Sequence, residues 1–267
     1  MSLIKVSAKS SKTRLATALV SLLVVGLSAC GSGDGGGGDQ DDPCVSLRIA
    51  GGEQCQERPL AVAALVSNLG YCTGTFITPR DVLTAAHCVP NAGSELVVAT
   101  RGFSARAVRT RIHPRFVPNS LSPYDVAVVT IGQDAPVNPA PVLLSRDVVN
   151  GEQAVAYGYG LDENGDDLAD RVEQGGYSLK ATFLEVQDVN DQFIRTISNG
   201  EGDTCRGDSG GPILVENNDG DYGLVAVVSF GPNICEPDIG YPSGNTNLQS
   251  GVVRDFIAAV VPGASFN

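Results

Sequence analysis

Gly207-Asp208-Ser209-Gly210-Gly211-Pro212 sets one hydroxyl among three glycines. Backbone amides can converge on a developing negative charge only where no side chain blocks the approach, and a serine on a tight turn between glycines meets that condition. A neutral hydroxyl is a weak nucleophile and needs a base beside it. The chain holds two histidines, and histidine is the side chain whose ordinary pKa suits that work near neutral pH. His87 lies in Leu83-Thr84-Ala85-Ala86-His87-Cys88, shortly after a run of β-type residues. Ser209 and His87 are thus a candidate nucleophile and a candidate base.

Around these two segments the chain is patterned as strands and turns. It has 267 residues, 42% of them hydrophobic, enough for one large or two small cores. Aromatics are 6% with no Trp, while 32 Gly and 15 Pro favour short strands over long helices. Alternating or continuous β-type runs cover 61–66, 71–77, 95–100, 105–112, 126–131, 153–158, 178–187, 192–197, 212–215 and 222–230. This spacing predicts an all-β fold, a sandwich or barrels. At the C-terminus, Val252, Val253, Phe256, Ile257, Val260 and Val261 share one helical face, and Pro262 stops the helix. Residues 162–174 are rich in Asp, Glu and Gly and read as an exposed loop. The net charge of −12 leaves no broad basic surface to neutralise phosphates, so nucleic acid is excluded as the expected partner.

The first thirty residues read as an export signal. Lys5, Lys9, Lys12 and Arg14 precede an apolar run from Leu15 to Ala29, shorter than the roughly 20 residues a membrane-spanning helix needs. A simple signal cut after Ala29 would put Leu27 where a small residue is wanted. Leu27-Ser28-Ala29-Cys30 instead resembles the bacterial lipobox, which predicts lipidation at Cys30 and a membrane anchor, the outer membrane if the cell is Gram-negative. The alternative is an incidental Cys in an ordinary secretory signal. Residues 31–42 (GSGDGGGGDQDD) carry no apolar side chain and form a solvated tether. The expected domains are therefore 1–29 signal, 30–48 tether and 49–267 folded domain.

Seven Cys leave an odd one in an exported chain, and assigning Cys30 to lipid leaves six: Cys44, Cys55, Cys72, Cys88, Cys205 and Cys235. Six cysteines allow 15 connectivities, and spacing alone does not choose among them. No tight Cys-x-x-Cys or Cys/His set points to zinc, and neither metal nor cofactor is expected.

The two motifs, in this order, together with Tyr124-Asp125-Val126-Ala127-Val128, resemble the chymotrypsin-like (trypsin-type) serine proteases from Arg48 to the C-terminal helix. The resemblance implies two packed antiparallel β-barrels closed by a C-terminal α-helix. It implies Ser209 as nucleophile, His87 as general base and acid, and Asp125 as the residue that orients His87. The N–H groups of Gly207 and Ser209 would form the oxyanion hole. His113, in Ile112-His113-Pro114, matches a family segment in which it is structural. Bridges Cys72–Cys88 and Cys205–Cys235 are likewise implied by the family, leaving Cys44 and Cys55 as the remaining pair or as two free thiols.

By the same resemblance, Asp203, six residues before Ser209, matches the carboxylate at the base of a pocket selecting Arg or Lys. Gly231 matches a small wall residue that leaves the pocket open, Ser229 a serine near the triad Asp, and Gly244 is a candidate for the far wall. Arg48-Ile49-Ala50-Gly51-Gly52 resembles an activation site: a cut after Arg48 would free the ammonium of Ile49 to pair with Asp208, and the same basic specificity would permit self-activation. The partners expected are protein or peptide substrates with Arg or Lys at the cleavage site and, through lipid, a membrane; a monomer is expected. The contrasting function class is a protease-fold binding protein without turnover. Against it, Ser209, His87, Asp125, Gly207 and Asp208 are all present.

Overall fold

A computed structural model of the chain describes residues 61–68, 70–90, 95–160, 179–200, 202–231 and 240–267. Cys30, Cys44, Arg48, Ile49, Cys55 and Cys235, the signal and tether segments and the acidic loop 162–174 lie outside the described residues. Twelve strands form two closed antiparallel barrels. The first contains β1 (Val62–Ser67), β2 (Gly70–Phe76), β3 (Asp81–Thr84), β4 (Leu96–Thr100), β5 (Phe103–Ile112) and β6 (Ala127–Ile131), in spatial order β1-β2-β3-β6-β5-β4. The second contains β7 (Gln153–Gly158), β8 (Lys180–Val189), β9 (Phe193–Ser198), β10 (Pro212–Glu216), β11 (Tyr222–Phe230) and β12 (Ser243–Asn247), in the order β10-β11-β12-β9-β8-β7. Closure leaves no free strand edge in either. The expectation of two barrels with a C-terminal helix is met.

Each barrel has its own core. Leu65, Phe76, Val82, Val98 and Val129 fill the first, and Leu184, Ile194, Ile213, Val215 and Val225 the second. A third cluster joins Leu83, Ala85, Cys88 and Val126 of the first barrel to Tyr157, Tyr159, Leu214 and Val227 of the second, and extends to Val253 and Ile257. Between the barrels, apolar burial thus surrounds the segments that carry His87, Asp125 and Ser209. The helix α1 (Gly251–Val260) buries Val253 and Ile257, while Val252, at the edge of the predicted apolar stripe, is 38% exposed.

The ten β-type runs each form a strand, but β3 and β12 have no counterpart in that pattern. β12 is Ser243-Gly244-Asn245-Thr246-Asn247, without one apolar side chain, yet all five residues are buried. Hydrogen bonds replace apolar contact: Asn245 Nδ2 donates to Ile194 O at 2.9 Å and to Thr196 Oγ1 at 3.0 Å, Thr246 Oγ1 to Asp125 O at 3.2 Å, and Asn247 Nδ2 to Asn190 O at 2.8 Å. A buried donor so paired escapes the desolvation cost of an orphan, whereas Asn245 Oδ1 has no partner among the described residues.

His113 ties α1 to the loop that carries Asp125. Its ring stacks on Tyr124 (centroids 4.9 Å apart) and meets Phe256 edge-on (4.8 Å), and Nδ1 accepts the Arg115 N–H at 3.2 Å. Burial holds its pKa below the usual histidine value, helped by the Arg115 charge and opposed by a backbone hydrogen bond at Val252. A lowered folded pKa means that the unfolded chain binds the proton more readily. The stability supplied by neutral His113 is full above about pH 6.5 and is lost as pH falls from there through the lowered folded value. Melting temperatures at pH 7.5 and 5.5 check this: His113→Phe should melt lower than wild type at pH 7.5, with a smaller gap at pH 5.5.

Candidate active site

His87 sits in the 3-10 turn Ala86–Cys88, closed by Cys88 N–H to Ala85 O (3.2 Å) and Val89 N–H to Ala86 O (3.1 Å). Burial of Ala86 and Cys88 on either side leaves the imidazole facing outward, 39% exposed. The Cys72–Cys88 disulfide closes this loop over 16 residues and contributes about 3 kcal/mol by restricting the unfolded chain. Cys72, His87 and Cys88 place their potential ligand atoms within 4.8 Å of one another, but the two sulfurs are bonded together and offer no thiolate to a metal.

Asp125 is buried, and both its oxygens accept hydrogen bonds. Oδ1 takes the His87 backbone N–H at 2.9 Å, while Oδ2 takes His87 Nδ1–H at 2.7 Å and the Ser229 hydroxyl at 2.6 Å. With Nδ1 donating to a carboxylate, the imidazole carries its proton there and presents a lone pair at Nε2. Sequence, turn and buried acceptor together therefore prepare a base.

The Ser209 turn is anchored to the first barrel. Thr73 N–H donates to Ser209 O at 2.8 Å and Thr73 Oγ1 to Gly207 O at 2.8 Å; Cys88 Sγ touches Ser209 O at 3.5 Å. This brings the turn against the residue that follows His87. Among the described residues, no hydrogen bond joins Ser209 Oγ to His87. Asp208 N–H turns inward to Cys205 O (3.0 Å) and Gly211 N–H to Asp208 O (2.8 Å); among the described residues, the N–H groups of Gly207 and Ser209 find no acceptor. Two donors flanking the serine hydroxyl are thus left available to an anion.

Glycine is required here for two reasons. Gly207 has φ +95°, and a Cβ there would lie 2.2 Å from the Tyr71 ring. Gly210, at φ +84°, would set a Cβ 2.2 Å from the Thr73 carbonyl oxygen. Either substitution would push the turn off the first barrel.

Asp208 points away from this opening. Its Oδ1 accepts Gly160 N–H at 2.8 Å and Oδ2 accepts Cys205 N–H at 2.8 Å, with the carboxyl group packed against Gly158 and Gly160. Burial pushes its pKa up to about 6, although the two backbone donors and Lys180 favour the ionised form. Asp203 also has a raised pKa from burial, opposed by hydrogen bonds from Thr204 and Ser243.

Beside Asp203, Thr204 N–H donates to Oδ1 at 2.7 Å, and the Thr204 and Ser243 hydroxyls approach the same oxygen, each at 3.5 Å. The two hydroxyls are 3.2 Å apart. Gly231 faces this group: a Cβ on it would be 2.8 Å from Ser243 Oγ. Cys205 is in a disulfide, and Cys235, the partner expected for it, lies outside the described residues.

The family model for trypsin matches residues 49–256. The chain belongs to the trypsin family. Among curated relatives, a trypsin of Saccharopolyspora erythraea is 29% identical over 211 residues, covering 71% of this chain and 89% of that protein. Trypsin 5G1 of Aedes aegypti is 26% identical over 238 residues, 80% of this chain and 85% of its own. A trypsin of Simulium vittatum is 27% identical over 213 residues, 70% and 84%. All three are trypsins by name, so this chain is a trypsin-family serine protease by descent.

Gly244, the candidate for the far wall, faces an aromatic: a Cβ on it would lie 2.1 Å from the Phe230 ring, while the Ser243 hydroxyl points at Asp203. Alternation along β12 turns the two residues to opposite sides. Three supporting residues stand in no sequence motif. Thr73 is bonded to both Gly207 and Ser209 of the Ser209 turn, Thr246 bonds the Asp125 carbonyl, and Ser243 Oγ lies 3.5 Å from Asp203 Oδ1. The register of β12 against β11, in which Val228 faces Asn245, is the signal that would have found Ser243.

Proposed function

We propose that this chain is a serine endopeptidase that hydrolyses peptide bonds after Arg or Lys and is made as a zymogen. The reading is carried by the hydrogen-bonded set of His87, Asp125 and Ser229, with the Ser209 turn tied against it. Ser209 Oγ attacks the scissile carbonyl carbon while His87 Nε2 takes its proton, and the oxyanion accepts the N–H groups of Gly207 and Ser209. Collapse of this intermediate expels the amine, which receives the proton from His87. Water, deprotonated in turn by His87, then releases the acid and frees Ser209. Asp125 keeps the Nδ1 proton in place throughout and stabilises the imidazolium.

Activation belongs to the same proposal. Asp208 is half-buried, with backbone donors on both carboxyl oxygens and a raised pKa, an environment that an ammonium would relieve. Cleavage between Arg48 and Ile49 supplies one. If Cys44 and Cys55 are bridged across that bond, the active domain stays joined to a segment anchored through lipid on Cys30, and the protease acts at a membrane surface. We expect cleavage at Arg48 to raise hydrolysis of Arg and Lys peptide amides by at least about a hundredfold, each charge needing the other once buried. Phe amides should remain poor substrates. Assays before and after cleavage check this, with Arg48→Gln as the uncleavable control. Preferred hydrolysis after Phe contradicts the assignment of Asp203, and full activity of the uncleaved chain contradicts the zymogen. A gel of cleaved protein without reductant tests the tether: a catalytic domain already free there rules out the bridge.

A further inference from the structure

Thr73 of β2 is fully buried and bonds the Ser209 turn through two different groups. Its backbone N–H donates to Ser209 O at 2.8 Å, as any residue but proline could do from that position. Its hydroxyl donates to Gly207 O at 2.8 Å and accepts Tyr159 N–H at 3.1 Å. A short side chain that both gives and takes in this way is supplied by serine or threonine. The residue before it, Cys72, is bonded to Cys88, which follows His87.

What the hydroxyl holds is the peptide unit between the two N–H groups that face an oxyanion. A peptide is planar, so the C=O of Gly207 and the N–H of Asp208 turn together. Thr73 holds the C=O and Cys205 O accepts the N–H at 3.0 Å, which clamps this plane at both ends. The angle between the Gly207 and Ser209 N–H groups depends on the backbone rotations on either side of that plane. Gly207, at φ +95° and without a Cβ, resists such rotation least and so gains most from a fixed neighbour. The same hydroxyl reaches the cradle of Asp208. Tyr159, whose N–H it accepts, precedes Gly160, whose own N–H meets Asp208 Oδ1 at 2.8 Å.

Resting on the reading of Gly207 and Ser209 as the oxyanion donors, we propose that Thr73 is a positioning residue for hydrolysis. Its hydroxyl keeps the two N–H groups converged and links them to the Asp208 cradle, without touching substrate. Those N–H groups meet more negative charge in the transition state than in bound substrate, so the hydroxyl acts on kcat rather than on KM.

The test uses the full chain cleaved after Arg48, as wild type, Thr73→Ser and Thr73→Val. Serine keeps the hydroxyl, whereas valine keeps the branched shape and the backbone N–H and removes the hydroxyl alone. For each, kcat and KM for a basic peptide amide are measured together with the affinity of a peptide boronic acid, whose tetrahedral adduct on Ser209 sets an oxygen where the oxyanion forms. Thr73→Val should lower kcat about tenfold, the effect of one good hydrogen bond, with KM within about twofold of wild type. Boronic acid binding should weaken by the same factor. Thr73→Ser should stay within about threefold of wild type in both. A merely structural role would lower the melting temperature of Thr73→Val and leave kcat and boronic acid affinity in place, and that result overturns the proposal. A Thr73→Ser chain as slow as Thr73→Val overturns it too. Thr73→Ala, judged by the same criteria, replaces Thr73→Val if the latter does not fold. A cleaved wild-type chain that neither hydrolyses the amide nor binds the boronic acid overturns the oxyanion reading as well.

Discussion

Ser209→Ala should lower kcat/KM of the cleaved chain roughly a million-fold, leaving the fold and substrate binding nearly unchanged. Among the described residues the Ser209 hydroxyl joins no hydrogen bond, and the turn is held by its backbone, through Thr73 N–H to Ser209 O and Gly210 N–H to Val228 O. Removing one oxygen therefore disturbs no packing, and melting temperature should shift by only about a degree or two for a ΔΔG within about 0.5 kcal/mol. What disappears is the atom that forms the acyl bond. The backbone N–H groups at positions 207 and 209 would still meet an oxyanion in the variant, so a residual acceleration of about a thousandfold over water remains. Steady-state hydrolysis of a basic peptide amide measures the loss, and KM near the wild-type value separates chemistry from misfolding.

Asp125→Asn should cost about ten-thousandfold in kcat at neutral pH. The carboxylate receives three donors: the His87 backbone N–H on Oδ1, and His87 Nδ1–H with the Ser229 hydroxyl on Oδ2. An amide has only one oxygen to offer. With its oxygen toward the His87 backbone, its NH2 group faces Nδ1 and forces the ring proton onto Nε2, where no lone pair is left for the serine proton. Turned the other way, it sets a donor against the His87 backbone N–H. The first arrangement disables the base while preserving its shape, and the second, which would keep it, is disfavoured by the clash of two donors. Nuclear magnetic resonance of the His87 ring protons would report the tautomer, and kcat the loss.

The ten strands visible as patterns carry apolar residues that repeat every second position or run unbroken, and in all but β5, whose Val108 and Ile112 are exposed, residues of those runs are buried in the barrels. β3 has only four residues, too few to show a period. β12 defeats the pattern for a different reason: Asn245, Thr246 and Asn247 are buried by virtue of partners far away in the chain, such as Ile194 and Asp125, which no local window contains. The candidate site divides along the same line. His87, Ser209 and Asp208 stand in motifs where backbone geometry demands glycines or small residues around them, and Asp125 stands at the head of the apolar run Val126-Ala127-Val128. Ser243 and Thr73 act through register and through contact across the two barrels, and their neighbours in sequence say nothing of it. Gly244 suits a pocket wall by size alone, whereas the pleat of β12 turns its neighbour Ser243 toward Asp203.

Reaction with a serine-directed phosphonylating reagent tests most directly whether the paired segments work as one centre. After cleavage at Arg48, the account predicts one phosphonyl group per chain, on Ser209, with slow labelling of the uncleaved chain and none in Ser209→Ala. A cleaved wild-type chain that stays unlabelled, or a Ser209→Ala chain labelled equally, would contradict it and favour a protease-fold binding protein.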